Sequence, residues 1–362
     1  MVELAALPQA WPLPSRPRPI VCVGAGGIVE NAHLPAYRRC GFPVLALVDP
    51  DLTRARRVAS AFGVPGAQST LEAWGAAGDV VFDVAVPARV TGAVLKGLPD
   101  GATVLIQKPF GESWRETCEL LELCRQKRLV AAVNFQLRFS PAVLALRALL
   151  ASGAFGDILD FEVRVNVHTP WGDWPFLAGI PRHEVLYHSV HYLDLARCLL
   201  GEPRGVHCHV ARHPALAAYS DTSSATLLDF GAACRVVIGA FHTHTYGRRH
   251  QTSELKVEGT LGAAVMKIGV NLDYPRGEPD TLEVCFENRR DWQAVPLRGS
   301  WFIEAFEGSM SHLQRFAAGE DPVLSSSVED AALTMAVVEA CYASSAHGAT
   351  PPPSLPCSPA ST

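Results

Sequence analysis

The sequence predicts an α/β fold in two parts: an amino-terminal doubly wound parallel sheet, then an α+β domain built on a large, mostly antiparallel open sheet. Three observations predict it. The stretch from Ile20 to Asp49 reads as strand, glycine turn, helix, strand. Short apolar runs and helical stretches keep alternating to about residue 140, the pattern of a parallel sheet covered on both faces. Past Ser140, long β-rich runs separated by turn residues take over, spaced like neighbours in an antiparallel sheet.

In the opening stretch, the apolar run from Ile20 to Val23 breaks into Gly24-Ala25-Gly26-Gly27, and a helix is expected from Ile28 to Arg39. Glycines suit this turn for two reasons: it demands open dihedrals, and any side chain would hold a pyrophosphate away from backbone N–H groups at the positive end of the helix. The second apolar run, Val44 to Val48, ends on Asp49. A carboxylate about 20 residues beyond the turn is placed to accept hydrogen bonds from an adenosine ribose. It also repels a 2′-phosphate, which favours NAD over NADP, although Arg54 lies close enough in sequence to hold a phosphate. Val29 stands where the dinucleotide fingerprint has its third glycine or alanine, so close helix–strand packing must be managed differently. A two-glycine turn alone is also an ordinary βα loop; the flanking strand, helix and Asp49 make it a dinucleotide site.

Beyond Asp49, helices are expected over residues 52–62, 70–76, 90–98 and 113–127, and strands over 80–86, 103–106 and 130–134. Ligands then belong at the carboxyl ends of the strands. The second half opens with a helix over 141–152. Strands follow over 158–168, 206–211, 222–229, 234–245, 253–258, 263–268 and 282–287, with helices over 183–200, 302–318 and 327–346. The expected division is a Pro-rich tail at 1–18, a cofactor domain at 19–140, a substrate and assembly domain at 141–348, and a tail at 349–362. The final helix is expected to pack back towards the first domain. A broad open sheet needs a cover, and a second subunit would supply one.

Composition narrows the function class. The 362 residues carry 36 acidic and 31 basic side chains, and no basic stripe marks a nucleic-acid surface. Nothing approaches the ~18 consecutive apolar residues of a membrane span, and the first 19 residues have the wrong order for a secretory signal. The expected location is cytoplasmic. Ten cysteines without a C-x-x-C pair read as reduced thiols, neither a disulfide frame nor a zinc site.

Two places could do chemistry. Lys108 follows a strand's carboxyl end and precedes Pro109, where a doubly wound sheet exposes side chains to cofactor; an ordinary surface lysine at a strand exit fits the position as well. The richer constellation is Arg182-His183-Glu184-Val185-Leu186-Tyr187-His188-Ser189-Val190-His191-Tyr192-Leu193-Asp194. On a helix, Glu184, His188 and His191 share one face, with Tyr187 and Asp194 adjoining it. Imidazoles titrate near ~6.5, so this face suits acid–base work; the alternative is histidines that cap elements or bond within the core. No metal is expected, since HExxH is absent and hydride transfer needs none. His242, His244 and Tyr246 would share a strand face, more readily solvated than lining a cleft. Trp171 and Trp174 precede the histidine helix, where indoles stack on a sugar or seal a contact.

Taken together, VGAGGIVENAHLPAY with LVDPD, QKPF, NFQLRFSP, HSVHYLDLARCLLGEP and SVEDAALTMAVVEACYASSAHG resemble the Gfo/Idh/MocA oxidoreductases. The resemblance implies an amino-terminal Rossmann domain, a carboxy-terminal open sheet used for dimer or tetramer assembly, and hydride transfer between NAD or NADP and a hydroxylated carbon of a sugar or cyclitol. It implies that Lys108, in place of the lysine of a Glu-Lys-Pro motif, touches nicotinamide ribose and substrate. It implies His191 as general base. Gly24, Gly26, Gly27, Ile28, Asp49, Arg54, Pro87, Gln107 and Lys108 are the expected cofactor contacts, and Arg138, Trp171, Trp174 and Asp194 the expected substrate contacts.

Three departures stand out. Gln107 replaces the motif's glutamate, Tyr187 replaces the aspartate four residues before the base, and no histidine follows Pro87. Tyr187 as a phenolic acid, or His188, is left to share the proton work. Three activities follow: an NAD-dependent dehydrogenase, an enzyme that keeps NAD bound and oxidises transiently to eliminate, epimerise or cleave a glycosidic bond, or an NAD-binding sensor without turnover.

Overall fold

The computed structural model describes residues 3–74, 78–273, 277–286 and 290–349. The first half runs β1 (Ile20–Val23), α1 (Leu34–Cys40), β2 (Val44–Val48), α2 (Leu52–Phe62), β3 (Gly66–Gln68), β4 (Val81–Val84), α3 (Ala88–Gly97), β5 (Thr103–Gln107), α4 (Trp114–Gln126) and β6 (Val130–Asn134). Its six strands are all parallel in the order β3-β2-β1-β4-β5-β6. The chain reverses direction of travel between β1 and β4, and the crevice at that switch is where such sheets bind dinucleotides. All four residues of β1 are buried, because helices cover both faces, and that explains its unbroken apolar run. Asp51 and Ser113 accept backbone N–H groups at the starts of α2 and α4.

The second half runs α5 (Pro141–Ala151), β7 (Ile158–Asn166), α6 (Val190–Leu200), β8 (Gly205–Ala211), β9 (Ser223–Asp229), β10 (Arg235–Phe241), β11 (Thr252–Gly259), β12 (Gly262–Lys267), β13 (Thr281–Phe286), β14 (Gln293–Ala294), α7 (Glu304–Ala317) and α8 (Val328–His347). Eight strands form one sheet, β14-β13-β12-β11-β7-β10-β9-β8, antiparallel except where β7 meets β10. Burial alternates along β9 and β10: Ser224, Thr226, Leu228, Val236, Ile238 and Ala240 point inwards, while Leu227 and Phe241 are exposed on the other face. One face is therefore covered and one is open.

Both α7 and α8 return to the parallel sheet, α7 packing on β5 and β6 and α8 on β6. Phe306, Met310 and Leu313 of α7 are fully buried against residues of β1, β5 and α1, each side chain worth roughly 1.5–3 kcal/mol of burial. A second cluster runs without a break from Val21 and Phe82 to Leu255 and Leu282, so the two sheets share a core.

Several expectations are corrected. The segment before residue 19 is not a loose tail: Leu7 and Gln9 are buried, Trp11 Nε1 donates to Asp321 at 2.8 Å, and Arg18 reaches Thr103 Oγ1 at 2.9 Å. The helix expected from Ile28 begins as a wide π turn, Val29–His33. The helix expected from His183 begins as another, Val185–Ser189. β3 was not foreseen, because Gly-Ala-Gln carries no apolar pattern. The helix expected over 70–76 is a single 3₁₀ turn, Glu72–Trp74, with residues 75 and 76 outside the described residues, as are residue 287 and the segment from 350 on. β10 stops at Phe241, so His242, His244 and Tyr246 do not alternate on a strand. His242 is buried and Tyr246 is exposed.

Candidate active site

The glycine turn leaves β1 at its carboxyl end. Gly24 takes φ +107°, and a Cβ there would collide with the Ala85 carbonyl oxygen that follows β4. A Cβ on Gly26 would meet nothing within 4 Å, so this position faces open space in front of the first helical turn. Asp49 lies beside it. Its Oδ2 accepts the Ala25 N–H at 2.8 Å, its Oδ1 accepts the Asp51 N–H at 2.9 Å, and Arg54 clamps both oxygens at 2.7 and 3.3 Å. Burial pushes the Asp49 carboxyl up, but Arg54 and the two backbone donors outweigh it and hold the group below its ordinary pKa. An open cradle at a helix start with an ionised carboxylate at the next strand end fits a dinucleotide, with Gly24, Gly26 and Gly27 at the pyrophosphate and Asp49 at the ribose. Ile28 is half-buried beyond the turn, and Pro87 is exposed just before α3.

Across the crevice, β5 delivers Gln107 and then Lys108, whose peptide to Pro109 is cis. Lys108 Nζ donates to the Tyr187 carbonyl at 2.6 Å, and burial lowers its pKa to about 8. Gln107 turns its side chain inwards, to His33 and to the Lys108 N–H. The Tyr187 hydroxyl donates to Glu112 Oε1 at 2.9 Å; burial, then Glu112, raise its pKa. The carboxylate missing from the helix thus has a counterpart in the loop after β5.

His191 is buried, its ring edge-on to Trp301 at 5.1 Å, and its Nδ1 has no hydrogen-bond partner. Burial, and after it the Lys108 charge, holds the imidazole well below its ordinary pKa, so the ring is neutral at neutral pH, with one nitrogen free to accept a proton. His188 packs between Trp171 (4.7 Å) and His242 (4.8 Å), also with an unpartnered buried Nδ1, and burial together with His242 and Lys108 keeps it neutral.

The expected common face of Glu184, His188 and His191 forms only in part, with the π turn Val185–Ser189 lying between Glu184 and His191. Glu184 is fully buried, accepts Ser189 Oγ at 2.6 Å and lies 3.3 Å from His242 Nε2. Glu184 and His188 therefore meet at His242, while His191 turns to Trp301. Asp221 starts the turn by accepting the backbone N–H groups of His183 (3.0 Å) and Glu184 (2.9 Å), and the His183 ring bonds the Asp221 carbonyl. Among the described residues, no three His, Cys, Asp or Glu side chains form a metal-holding group.

Arg138 and Asp194, expected at the substrate, are 2% and 1% exposed and bound to each other, Nε to Oδ2 at 2.6 Å. Asp330, Thr334 and the Ser325 carbonyl complete the network. Trp171 is the hub of the rings of His183, His188, Tyr219 and His242; Trp174 is half-buried against the core. Sequence reasoning missed Glu112, Asp221, Trp301 and the His33–Asp83 pair. Each meets its partner across tens of residues, and no local pattern announces such contacts.

A cofactor cradle at the switch of one sheet, faced by a neutral imidazole and a lysine, is the layout of a dinucleotide-dependent oxidoreductase. Residues 19–135 match the model of the oxidoreductase family with an NAD-binding Rossmann fold, and residues 143–265 match the GFO/IDH/MocA C-terminal domain. The chain belongs to the Gfo/Idh/MocA family and is an NAD-binding enzyme of it. It is 25% identical over 339 residues to a D-apiose dehydrogenase of Paraburkholderia graminis, covering 91% of this chain and 88% of that protein. It is 31% identical over 241 residues to the dTDP-3,4-didehydro-2,6-dideoxy-alpha-D-glucose 3-reductase of Streptomyces violaceoruber, covering 64% of this chain and 69% of that one. In fold it resembles an oxidoreductase from Agrobacterium radiobacter solved with NAD+, L-tartaric acid and magnesium, with a TM-score of 0.77 and 22% identity over 92% of this chain and 98% of that one. It likewise resembles a levoglucosan dehydrogenase solved with NADH and levoglucosan, with a TM-score of 0.74 and 19% identity over the same shares.

Proposed function

We propose that this enzyme oxidises a secondary hydroxyl of a sugar- or cyclitol-like substrate with NAD, with His191 as the base and Lys108 as its electrostatic partner. The observation that carries the reading is the neutral His191 imidazole, its Nδ1 unpartnered, held within the field of the Lys108 ammonium. The nicotinamide ring, when bound, supplies the hydride acceptor. Lys108, fixed by the Tyr187 carbonyl, stabilises negative charge growing on the substrate oxygen as His191 removes its proton. The Tyr187 hydroxyl is spent on Glu112, so His188 is the better-placed assistant. Relatives named for D-apiose and for a dTDP-sugar support a sugar-like substrate. The commitment of Arg54 to Asp49 supports NAD over NADP. The exposed face bearing Leu227 and Phe241 is the surface we assign to homodimer or homotetramer assembly.

The spare base His188 favours a second reading, in which NAD stays bound and a transient ketone acidifies a neighbouring C–H bond. One experiment separates the two. Purified protein and NAD are presented with sugars, cyclitols, sugar acids and glycosides while NADH absorbance and products are followed. NADH formed with one substrate class supports the dehydrogenase; a converted substrate without net NADH supports transient oxidation; NAD binding with no conversion in any well overturns both.

A further inference from the structure

Beneath the crevice, His33 ties the turn that follows the glycines to the strand that leads into Lys108. It closes the π turn after the glycines and is fully buried. Its Nδ1 lies 2.7 Å from Asp83 Oδ2 of β4, and Tyr37 of α1 donates its hydroxyl to the same oxygen at 2.9 Å. The Cys22 thiol of β1 approaches that oxygen at 3.8 Å, and Phe306 of α7 covers the ring at 5.1 Å. On the far side, His33 Nε2 lies 3.3 Å from Gln107 Nε2, while Gln107 Oε1 accepts the Lys108 N–H at 2.9 Å.

These contacts fix the protons. A carboxylate only accepts, so His33 Nδ1 carries a hydrogen. Because Gln107 Oε1 is taken by a backbone donor, the amide nitrogen faces His33 and donates, leaving His33 Nε2 as a lone pair. An imidazole that donates at one nitrogen and accepts at the other is neutral. A glutamate at 107 would set lone pair against lone pair and add a second carboxylate beside Asp83, at a site whose other facing groups, Tyr37 and Cys22, bring no positive charge.

We propose that Gln107, His33 and Asp83 form a chain of positioning residues that sets the Lys108 backbone, and that neutral His33 is what calls for glutamine at 107. The departure from Glu-Lys-Pro is then a compensated exchange and not a lost catalytic charge. The inference rests on Lys108 serving the proposed reaction.

Nitrogen-15 NMR of histidine-labelled full-length protein tests it, the His33 signal being found by difference against His33→Gln. Wild type is expected to show the neutral Nδ1–H form at pH 7, and Gln107→Glu an imidazolium. In turnover, Gln107→Glu is expected to fall ~10-fold per pH unit above a new ionisation that lies below the wild-type alkaline limb. Gln107→Leu is expected to lose activity equally at every pH. A wild-type imidazolium or Nε2–H form overturns the proposal. So does a Gln107→Glu profile parallel to that of wild type or of Gln107→Leu. The NMR reading needs no substrate, so a wild type that makes no NADH yet holds the Nδ1–H form would fail the dehydrogenase reading alone.

Discussion

Burial acts in the same sense on Lys108 and His191, and their different ordinary pKa values leave them in opposite protonation states. It disfavours whichever form is charged, so it keeps His191 neutral and draws Lys108 down to about 8, still mostly ammonium at pH 7. The proposed base and its proposed electrostatic partner are thus both poised at neutral pH. As pH rises through about 8, Lys108 loses its proton and with it the stabilisation of the substrate oxygen. kcat/KM is therefore expected to show an alkaline limb near that value, measured as initial NADH formation. Lys108→Met should remove the limb and lower the plateau by ~10²–10³-fold. His191→Ala should cost at least ~10²-fold in turnover, while NAD affinity, read by fluorescence titration, stays within a few-fold. Retained turnover in His191→Ala would assign the base elsewhere.

At the scale of elements, what the sequence made legible was what repeats locally. The glycine turn, Asp49 at a strand end and the alternation of β and α follow from short-range chemistry, and the strands of both sheets, β3 and β14 apart, stand close to where their apolar patterns put them. The two π turns were not legible, because Val29–His33 and Val185–Ser189 read as ordinary helix. They matter because a helix of regular pitch would align Glu184, His188 and His191, whereas the wide turn sends Glu184 to His242 and His191 to Trp301. Asp221, whose carboxylate starts that turn, stands 37 residues from Glu184. The cradle is the element whose demand on sequence is strictest. Gly24→Ala would force a side chain into a left-handed backbone and against the Ala85 carbonyl, a strain of about 1–3 kcal/mol before any collision is counted. A lowered melting temperature together with NAD affinity weakened at least ~10-fold is the expected result. Unchanged NAD affinity would show that the turn does not approach the pyrophosphate.

The whole molecule must hold a cradle on the parallel sheet at a fixed distance from the proposed base on α6, and Arg138 and Asp194 sit where that spacing is set. Arg138 belongs to the 3₁₀ turn Gln136–Phe139 after β6, Asp194 to α6 three residues beyond His191, and Asp330 and Thr334 to α8. Arg197, one turn further along α6, bonds the same Asp330 and Thr334. Parallel sheet, α6 and final helix therefore meet at one buried ionic joint, where burial raises the Asp194 pKa and the Arg138 charge and hydrogen bonds oppose that rise. Buried charge of this kind is costly to strip of its partner. Asp194→Asn leaves a guanidinium with only half-buried Asp330 and a carbonyl as partners, so it should cost roughly 3 kcal/mol of stability, measured by urea denaturation. The same variant separates the joint from a substrate contact. A joint predicts a lower denaturation midpoint and lower kcat, because His191 shifts, with substrate KM within a few-fold of wild type. A residue that grips substrate would instead raise KM many-fold at unchanged stability, and that result would return Arg138 and Asp194 to the substrate site.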